Sequence, residues 1–196
     1  MKLTYKHTVY ACFTGYIVQA IINNFAPLLF LTFQTSYNIP LAKITLLITL
    51  NFSVQLITDL LSPLFIDKIG YRVSVVLAHI FSALGLVLLP VLPSFFSDPS
   101  TGLFIAVIVY AVGGGLLEVL ISPIVEASPT DNKEKAMSLL HSFYCWGHVG
   151  VVLISTLFFV LFGTVNWMYL SLFWALVPIA NTFFFLKVPV NHLIAD

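Results

Sequence analysis

The sequence predicts an all-α membrane protein, a single bundle of six transmembrane helices extending over residues 1–196. Three observations lead to this fold class: hydrophobic residues make up 60% of the chain, charged residues make up 8%, and the basic residues lie outside or at the ends of long apolar stretches. Soluble domains average about 25% charged residues. So few charges cannot build a water-soluble surface.

Six apolar stretches are each long enough for a transmembrane helix, which needs about 20 predominantly apolar residues. They lie near 9–33, 42–66, 73–93, 102–127, 136–162 and 167–186. The connections between them are short, so none of them holds a soluble domain. The first stretch follows Lys2 and Lys6, as a signal peptide would. It is too long for one and contains Gln19 and Asn23, and five further spans follow, which favours a retained helix.

The placement of basic residues predicts the orientation of the chain. With the amino terminus in the cytoplasm, the inner side has seven bases: Lys2, Lys6, Lys68, Arg72, Lys133, Lys135 and Lys187. Only Lys43 is left outside, and this bias is the one that inner loops of membrane proteins show. The connection 94–100 has Asp98 as its one charge, as expected for an outer loop. We therefore expect a multi-pass protein of the cell membrane with both termini in the cytoplasm.

Polar side chains recur at helical spacing inside three of the predicted spans. These stripes are Gln19 and Asn23 in the first span, Asn51, Gln55 and Asp59 in the second, and Glu118, Ser122 and Glu126 in the fourth. Intervals of four place the members of each stripe on one face of a helix. Polar groups in a bilayer are costly and usually face the bundle interior or a watery cavity. Asp59 and Glu126 are expected at the cytoplasmic ends of their spans.

Glu118 lies near the middle of the stretch 102–127 and hence near the bilayer midplane. An ionisable residue at that depth is a candidate functional residue, because hydrocarbon disfavours its charged form. Two interpretations remain open. Glu118 either takes part in proton or substrate binding, or stays protonated and only bonds a neighbouring helix.

Histidines and glycines in the spans are weaker signals. His141 and His148 are two turns apart in the fifth span and can face the same way. We expect these two, and His79, either to line a cavity or to be hydrogen-bonded structural residues. The i, i+4 histidine pair of a helical zinc motif is missing, and we expect neither a metal nor a cofactor. Three consecutive glycines at 113–115 predict either close helix packing or a flexible point beside a cavity.

The connection after the second span reads Pro63-Leu64-Phe65-Ile66-Asp67-Lys68-Ile69-Gly70-Tyr71-Arg72. It resembles the signature loop of the major facilitator superfamily, Gly-x-x-x-Asp-(Arg/Lys)-x-Gly-Arg-(Arg/Lys), and lies where that family has it, on the predicted cytoplasmic side. The matching residues are Asp67, Lys68, Gly70 and Arg72. Pro63 and Tyr71 depart from the pattern. The resemblance implies a loop that gates conformational change, and the alternative is an ordinary charged turn.

Within that superfamily, the fourth and fifth spans resemble the fucose permease type of sugar and proton symporters. The shared features are the glycines at 113–115, Glu118, the Ser122-Pro123 pair and an Asn23-Asn24 pair in the first span. The resemblance implies proton coupling or sugar binding at Glu118 and makes Asn24 a further candidate. It also implies that the chain is the amino-terminal half of a twelve-span fold.

The leading hypothesis is a secondary active transporter that takes up a sugar or a similar neutral small solute with protons by alternating access. Its predicted cavity lining is Asn23, Asn24, Asn51, Gln55, Glu118, His141 and His148. The alternative is a non-transporting membrane subunit, or an orphan or truncated half, that packs with a partner protein. An intramembrane enzyme is not expected, because no His-Glu-x-x-His or serine-nucleophile signature occurs.

The expected partners are the solute, protons, the lipid bilayer and a second six-helix half. The halves of this superfamily are related by an axis along the membrane normal. The second half is therefore either the continuation of the same polypeptide, with this chain a fragment, or a second copy in a parallel homodimer. Eight basic against eight acidic residues give no sign of an ionic solute, and we expect no nucleic-acid partner.

Overall fold

A computed structural model describes residues 3–191, which form helices joined by short connections, with no strand in that range. The α-helices of this range are α1 Tyr5–Leu28, α2 Phe30–Tyr37, α3 Leu41–Leu61, α4 Pro63–Ile69, α5 Tyr71–Val91, α6 Pro99–Ala127, α7 Lys133–Phe162 and α8 Trp167–Lys187. Short 3-10 turns, Leu92–Phe95 and Thr164–Asn166, precede α6 and α8. Lys2 and both chain ends, for which a cytoplasmic position is expected, lie outside the described residues.

Among the helices of residues 3–191, five, α3 and α5 to α8, are long and apolar enough to cross a membrane, and α1 with α2 is a sixth candidate if the pair counts as one bent span. The stretch near 9–33, which the sequence suggests as one helix, is thus two helices. They meet at Leu29 with a bend of 47°. Pro27 favours a break here, because proline has no N–H for the carbonyl of Asn23 and its ring crowds the preceding turn.

The stretch near 42–66 is also divided. α3 ends at Leu61, and α4 begins at Pro63, where proline is favoured because the first position of a helix needs no N–H donor. Gly70 separates α4 from α5 with a φ of +86°, a conformation that glycine adopts at little cost. The signature loop is therefore a short helix followed by a glycine turn.

α6 is the centre of the bundle. It packs against α5, α3 and α1, while α7 packs mainly on α1, and α8 packs on α5. A Cβ on Gly113 would lie 2.5 Å from the carbonyl oxygen of Ala78, and one on Gly115 would lie 2.9 Å from that of Gln55. The glycines at 113 and 115 therefore permit close helix packing, the first of the two interpretations open from the sequence.

His79 is a structural residue, fully buried on α5. Its Nδ1 lies 2.7 Å from the carbonyl oxygen of Val75, and its Nε2 lies 2.8 Å from the side-chain nitrogen of Asn181 on α8. Asn181 also donates to the carbonyl of Ala11 on α1 at 3.0 Å. His79 therefore links α5 to α8 directly and to α1 through Asn181, and both of its ring nitrogens have the partners that buried polar groups require.

α3 and α7 are the least covered of the long helices. Within the most apolar part of each helix, 28% of α3 and 17% of α7 is buried inside the chain, against 61% of α6. Large apolar side chains such as Leu153 on α7 and Leu56 on α3 are exposed. These two helices therefore present broad apolar faces to their surroundings.

Candidate functional site

A polar cleft of about 330 Å³ opens between α1, α3, α6 and α7. Its lining is Tyr16, Gln19, Asn23, Phe52, Gln55, Glu118, His141 and Tyr144. Small-molecule sites in proteins have volumes of about 300–1,000 Å³ and contain a few convergent polar groups. The cleft meets both conditions, and its polar groups come from four different helices.

α1 contributes Tyr16, Gln19 and Asn23, which lie on one face because they are three and four residues apart. Gln19 Nε2 donates to Glu118 Oε2 on α6 at 3.2 Å. One turn away, the hydroxyls of Tyr16 and Ser122 share a hydrogen bond of 2.8 Å. The polar stripes of α1 and α6 that the sequence shows thus face each other across the cleft.

Asn23 is the residue on which the cleft hydrogen bonds converge. Its Oδ1 accepts from Asn51 Nδ2 at 3.1 Å and from Gln55 Nε2 at 2.8 Å, both on α3. Its own Nδ2 donates to the hydroxyl of Tyr144 on α7 at 3.4 Å. Asn51 and Gln55 are buried, with 5% and 3% of their surfaces exposed. Asn23 therefore connects three helices through side chains alone.

α7 closes one side of the cleft with aromatic rings. The ring centroid of Tyr16 lies 5.7 Å from that of His141 and 6.2 Å from that of Tyr144. Phe143 stacks on Phe13 of α1, with centroids 4.6 Å apart. His148 lies two turns further along α7 and is exposed, outside the cleft lining.

Glu118 is exposed within this chain because it borders the open side of the cleft. The side chain therefore faces a space that solvent or another set of helices fills, not the packed interior of the bundle. Gln19 donates to one of its two carboxyl oxygens, Oε2, and no other residue of the cleft lining has a carboxyl group. Glu118 is thus the carboxyl group of the cleft.

Three further candidates lie apart from the cleft lining. Asn24 donates to the carbonyl of Ala20 within its own helix, at 2.7 Å. Asp59 lies one turn beyond Gln55, half buried against Gly115, and its Oδ1 has no hydrogen-bond partner within residues 3–191. Glu126 is exposed in the last turn of α6. The stripes on α3 and α6 thus extend past the cleft.

The four matching loop residues take different positions. Asp67 and Lys68 are exposed on α4, and Gly70 forms the turn into α5. Arg72 Nη1 donates to the carbonyls of Phe185 at 3.0 Å and Leu186 at 3.2 Å, in the last turn of α8. Such carbonyls lack helical partners, and a cation there is favourable. Arg72 therefore ties the loop to the end of α8.

The sequence interpretation missed Tyr16 and Phe52 altogether and left Gln19 and Tyr144 outside the predicted cavity lining. A signal for Tyr16 was present, since it extends the Gln19 and Asn23 stripe by one turn. Phe52 has no such signal, because one more aromatic residue in a chain with 18 phenylalanines is not distinctive. Within residues 3–191, no group of three His, Cys, Asp or Glu side chains is placed to hold a metal ion.

Comparison with known proteins agrees with this architecture. The sequence profile of the family described as Major Facilitator Superfamily matches residues 11–193. The crystal structure of a D-xylose-proton symporter is similar, with a TM-score of 0.77 and 14% identity over 94% of this chain and 48% of that symporter. At this identity the similarity shows the fold alone, and the chain spans about half of the symporter's length. No curated protein matches the chain.

Proposed function

The chain belongs to the Major Facilitator Superfamily, and from this premise we propose that it is one six-helix half of a secondary active transporter. In this proposal the transporter takes up a sugar or a similar neutral small solute together with protons, by alternating access. The chain is a multi-pass membrane protein. The observation that carries the proposal is the polar cleft, in which Glu118 and three amide side chains converge at the open side of an apolar bundle.

A neutral solute with several hydroxyls suits the hydrogen-bonding groups that line the cleft. Amides of Gln19, Asn23 and Gln55 offer both donors and acceptors, and hydroxyl groups need both. Phe52 is 51% exposed and offers its ring to the apolar face of a sugar. Glu118 is the one carboxyl group among the lining residues, and the lining has no lysine or arginine. This balance favours a neutral solute over an anion.

Proton coupling is assigned to Glu118. As a carboxylate it accepts the bond from Gln19, and in its protonated form it can donate to a solute hydroxyl. The two protonation states thus offer different hydrogen bonds to the solute. A group whose protonation changes its hydrogen bonding to the solute can couple the movement of protons to the movement of the solute.

We further propose that a second six-helix half covers the open side of the cleft. The supporting observations are the exposure of Glu118 and His141 and the broad apolar faces of α3 and α7. The second half is either the continuation of the polypeptide or a second copy, and the substrate site forms between the two. Alternating access then consists of rocking one half against the other.

The signature loop and the orientation complete the proposal. The loop, with Asp67, Lys68, Gly70 and Arg72, lies on the cytoplasmic side of the cell membrane, where Arg72 connects it to α8. In this proposal both termini of the chain are cytoplasmic, because that orientation puts seven of the eight basic residues on the inner side. A loop tied to the end of α8 can stabilise one conformation of the bundle. The protein acts without chemistry on its solute, as a carrier and not an enzyme.

The test is uptake into proteoliposomes that contain the transporter, with a panel of neutral sugars and an imposed proton gradient. Glu118→Gln is expected to abolish gradient-driven uptake while exchange of labelled for unlabelled solute continues, because glutamine mimics the protonated acid but cannot release a proton. Glu126→Gln is the matched control. It makes the same chemical change on the same helix, outside the cleft, and should retain uptake.

Two outcomes would count against the proposal. Unchanged gradient-driven uptake and pH dependence in Glu118→Gln would remove the proton role from this residue. Absence of solute binding and transport, by the longest natural form of the protein as well as by this chain, would favour a non-transporting membrane subunit.

A further inference from the structure

A second and much smaller cavity lies beside the polar cleft, next to the bend between α1 and α2. Its volume is about 10 Å³. Among its lining residues are Asn23, Pro27, Asn51, Phe52 and Tyr110. Asn23 and Phe52 line the cleft as well, so the two spaces are neighbours. Such a volume is about the smallest that admits a single water molecule.

Asn51 brings an unpaired acceptor to this cavity. Its Nδ2 donates to Asn23, but its Oδ1 has no hydrogen-bond partner within residues 3–191. The residue is only 5% exposed, so bulk solvent does not supply the missing donor. Buried polar atoms are rarely left without a partner, because the loss of hydration is costly.

A second acceptor for a hydrogen bond is the backbone carbonyl of Asn23, a residue that lines this cavity. The carbonyl of Asn23 would normally bond the N–H of residue 27, and Pro27 has none. Just past Pro27 the helix ends, and the Leu29 N–H donates to the Ala26 carbonyl at 3.0 Å. Carbonyls freed by a proline inside a membrane helix find other donors, including ordered water.

We propose that one water molecule binds in this cavity and donates one hydrogen bond to Asn51 Oδ1 and one to the Asn23 carbonyl. This bridge joins α3 to α1 beside the bend and supports the orientation of the Asn51 amide toward the cleft. A single water can donate to both of these acceptors. A metal cation fits poorly, because the lining has no carboxylate and is largely apolar, where a charge is costly.

Radiolytic hydroxyl-radical footprinting of the protein in lipid nanodiscs tests the proposal, since radicals formed from a bound water mark the side chains that touch it. Tyr110 is 2% exposed and borders the cavity, whereas Phe25 is 1% exposed and does not line it. We expect Tyr110 to be modified and Phe25 to remain unmodified. After mixing with ¹⁸O water, the label on Tyr110 should appear more slowly than on the exposed Phe95.

Two variants separate a bound water from ordinary accessibility. Asn51→Leu removes the unpaired acceptor, and Pro27→Ala restores an N–H donor for the Asn23 carbonyl, so each should lose Tyr110 modification. Asn24→Leu changes the neighbouring asparagine, whose amide bonds within α1, and should keep it. Equal modification of Tyr110 and Phe25 in the parent protein, retention of Tyr110 modification in both cavity variants, or immediate ¹⁸O exchange would overturn the proposal. Thermal stability that rises with sodium but not choline chloride would overturn it in favour of a cation.

Discussion

At the scale of single residues, Asn23 shows how one amide can organise a site. It accepts from two buried amides of α3 and donates to α7, so its removal would leave the donors of Asn51 and Gln55 unpaired. An unpaired buried donor loses its hydration without compensation. The adjacent Asn24 bonds only within its own helix, to Ala20. Two neighbouring asparagines thus have different surroundings, which allows a matched experiment.

We predict that Asn23→Ala lowers the uptake rate at low solute concentration far more than Asn24→Ala. A loss of about 1–3 kcal/mol from the hydrogen bonds of the cleft corresponds to an uptake rate that is lower by about 5- to 150-fold. Asn24→Ala should stay within about threefold of the parent, since surface-like substitutions rarely exceed 0.5 kcal/mol. Initial rates of labelled-solute uptake at equal protein level provide the measurement. Similar losses in both variants would contradict the assignment of Asn23 to the site.

An ion pair between Lys43 and Asp98 joins the predicted outer ends of α3 and α6. Lys43 Nζ donates to Asp98 Oδ2 at 2.7 Å, and Asp98 Oδ1 accepts from the backbone N–H of Ser100 at 3.0 Å. These bonds, that from Lys43 above all, lower the pKa of Asp98 to about 2. The carboxyl therefore stays ionised in the folded protein under conditions where the unfolded chain, with a pKa of about 3.9, already binds a proton.

The lowered pKa of Asp98 sets the pH range over which ionised Asp98 contributes to the stability of the protein. This contribution is fully present above about pH 4, the ordinary pKa of an aspartate, and is lost as the pH falls through the folded value. Asp98→Asn keeps an N-cap oxygen but removes the charge. The difference in unfolding temperature between parent and Asp98→Asn should be constant from pH 8 to pH 5 and shrink between pH 4 and pH 2. A difference that changes instead between pH 5 and pH 8 would mean that another group is responsible.

At the scale of elements, Gly70 decides how α4 passes into α5. Its φ of +86° and ψ of 152° are nearly inaccessible to other residues. Gly70→Ala is therefore predicted to destabilise the bundle by about 1–3 kcal/mol, although no atom lies within 4 Å of the added methyl group. The methyl group of Gly150→Ala also meets no atom within 4 Å. Gly150 lies inside the helix α7, where alanine is more favourable than glycine by up to about 1 kcal/mol, so this variant should be stabilised. Denaturant titrations of the two variants should show shifts of opposite sign.

The long helices follow from the sequence because hydrocarbon demands about 20 apolar residues, and this requirement is independent of packing. Helix breaks do not follow so directly. α1 ends one residue after Pro27, whereas α6 continues through Pro123 and α8 through Pro178. A proline removes one donor in each case, but the neighbouring helices decide whether the helix then bends or continues. Such neighbours are unknown before the fold is.

At the scale of the whole molecule, the cleft was only partly predictable, for a related reason. Intervals of four place Gln55 and Glu118 on one face of their own helices, and such faces turn away from lipid, toward the bundle interior or a watery cavity. The sequence does not tell which turn of α1 meets which turn of α6 or α7. The pairing of Tyr16 with Ser122 depends on the helix register, and so does the distance of His148 from the cleft. Local periodicity therefore predicted the participants better than their contacts.

The two cysteines report on whether a second half covers the cleft. Cys12 is fully buried on α1, while Cys145 is exposed on α7, one turn beyond His141. Thiols react with maleimides only when they are accessible and ionised. In this chain expressed alone and held in detergent, we predict modification of Cys145 and not of Cys12. Modification of both after denaturation provides the control.

The same measurement on the transporter from its native membranes, in the same detergent, should show slower modification of Cys145, because a second six-helix set packed against α3 and α7 would cover it. Cys12 should remain unmodified in both preparations, since its burial arises within this chain. The mass of the native complex then distinguishes a longer polypeptide from a pair of identical chains. Equal rates at Cys145 in the two preparations would mean that the face of α7 next to His141 is uncovered and that the cleft is not completed by helices on that side.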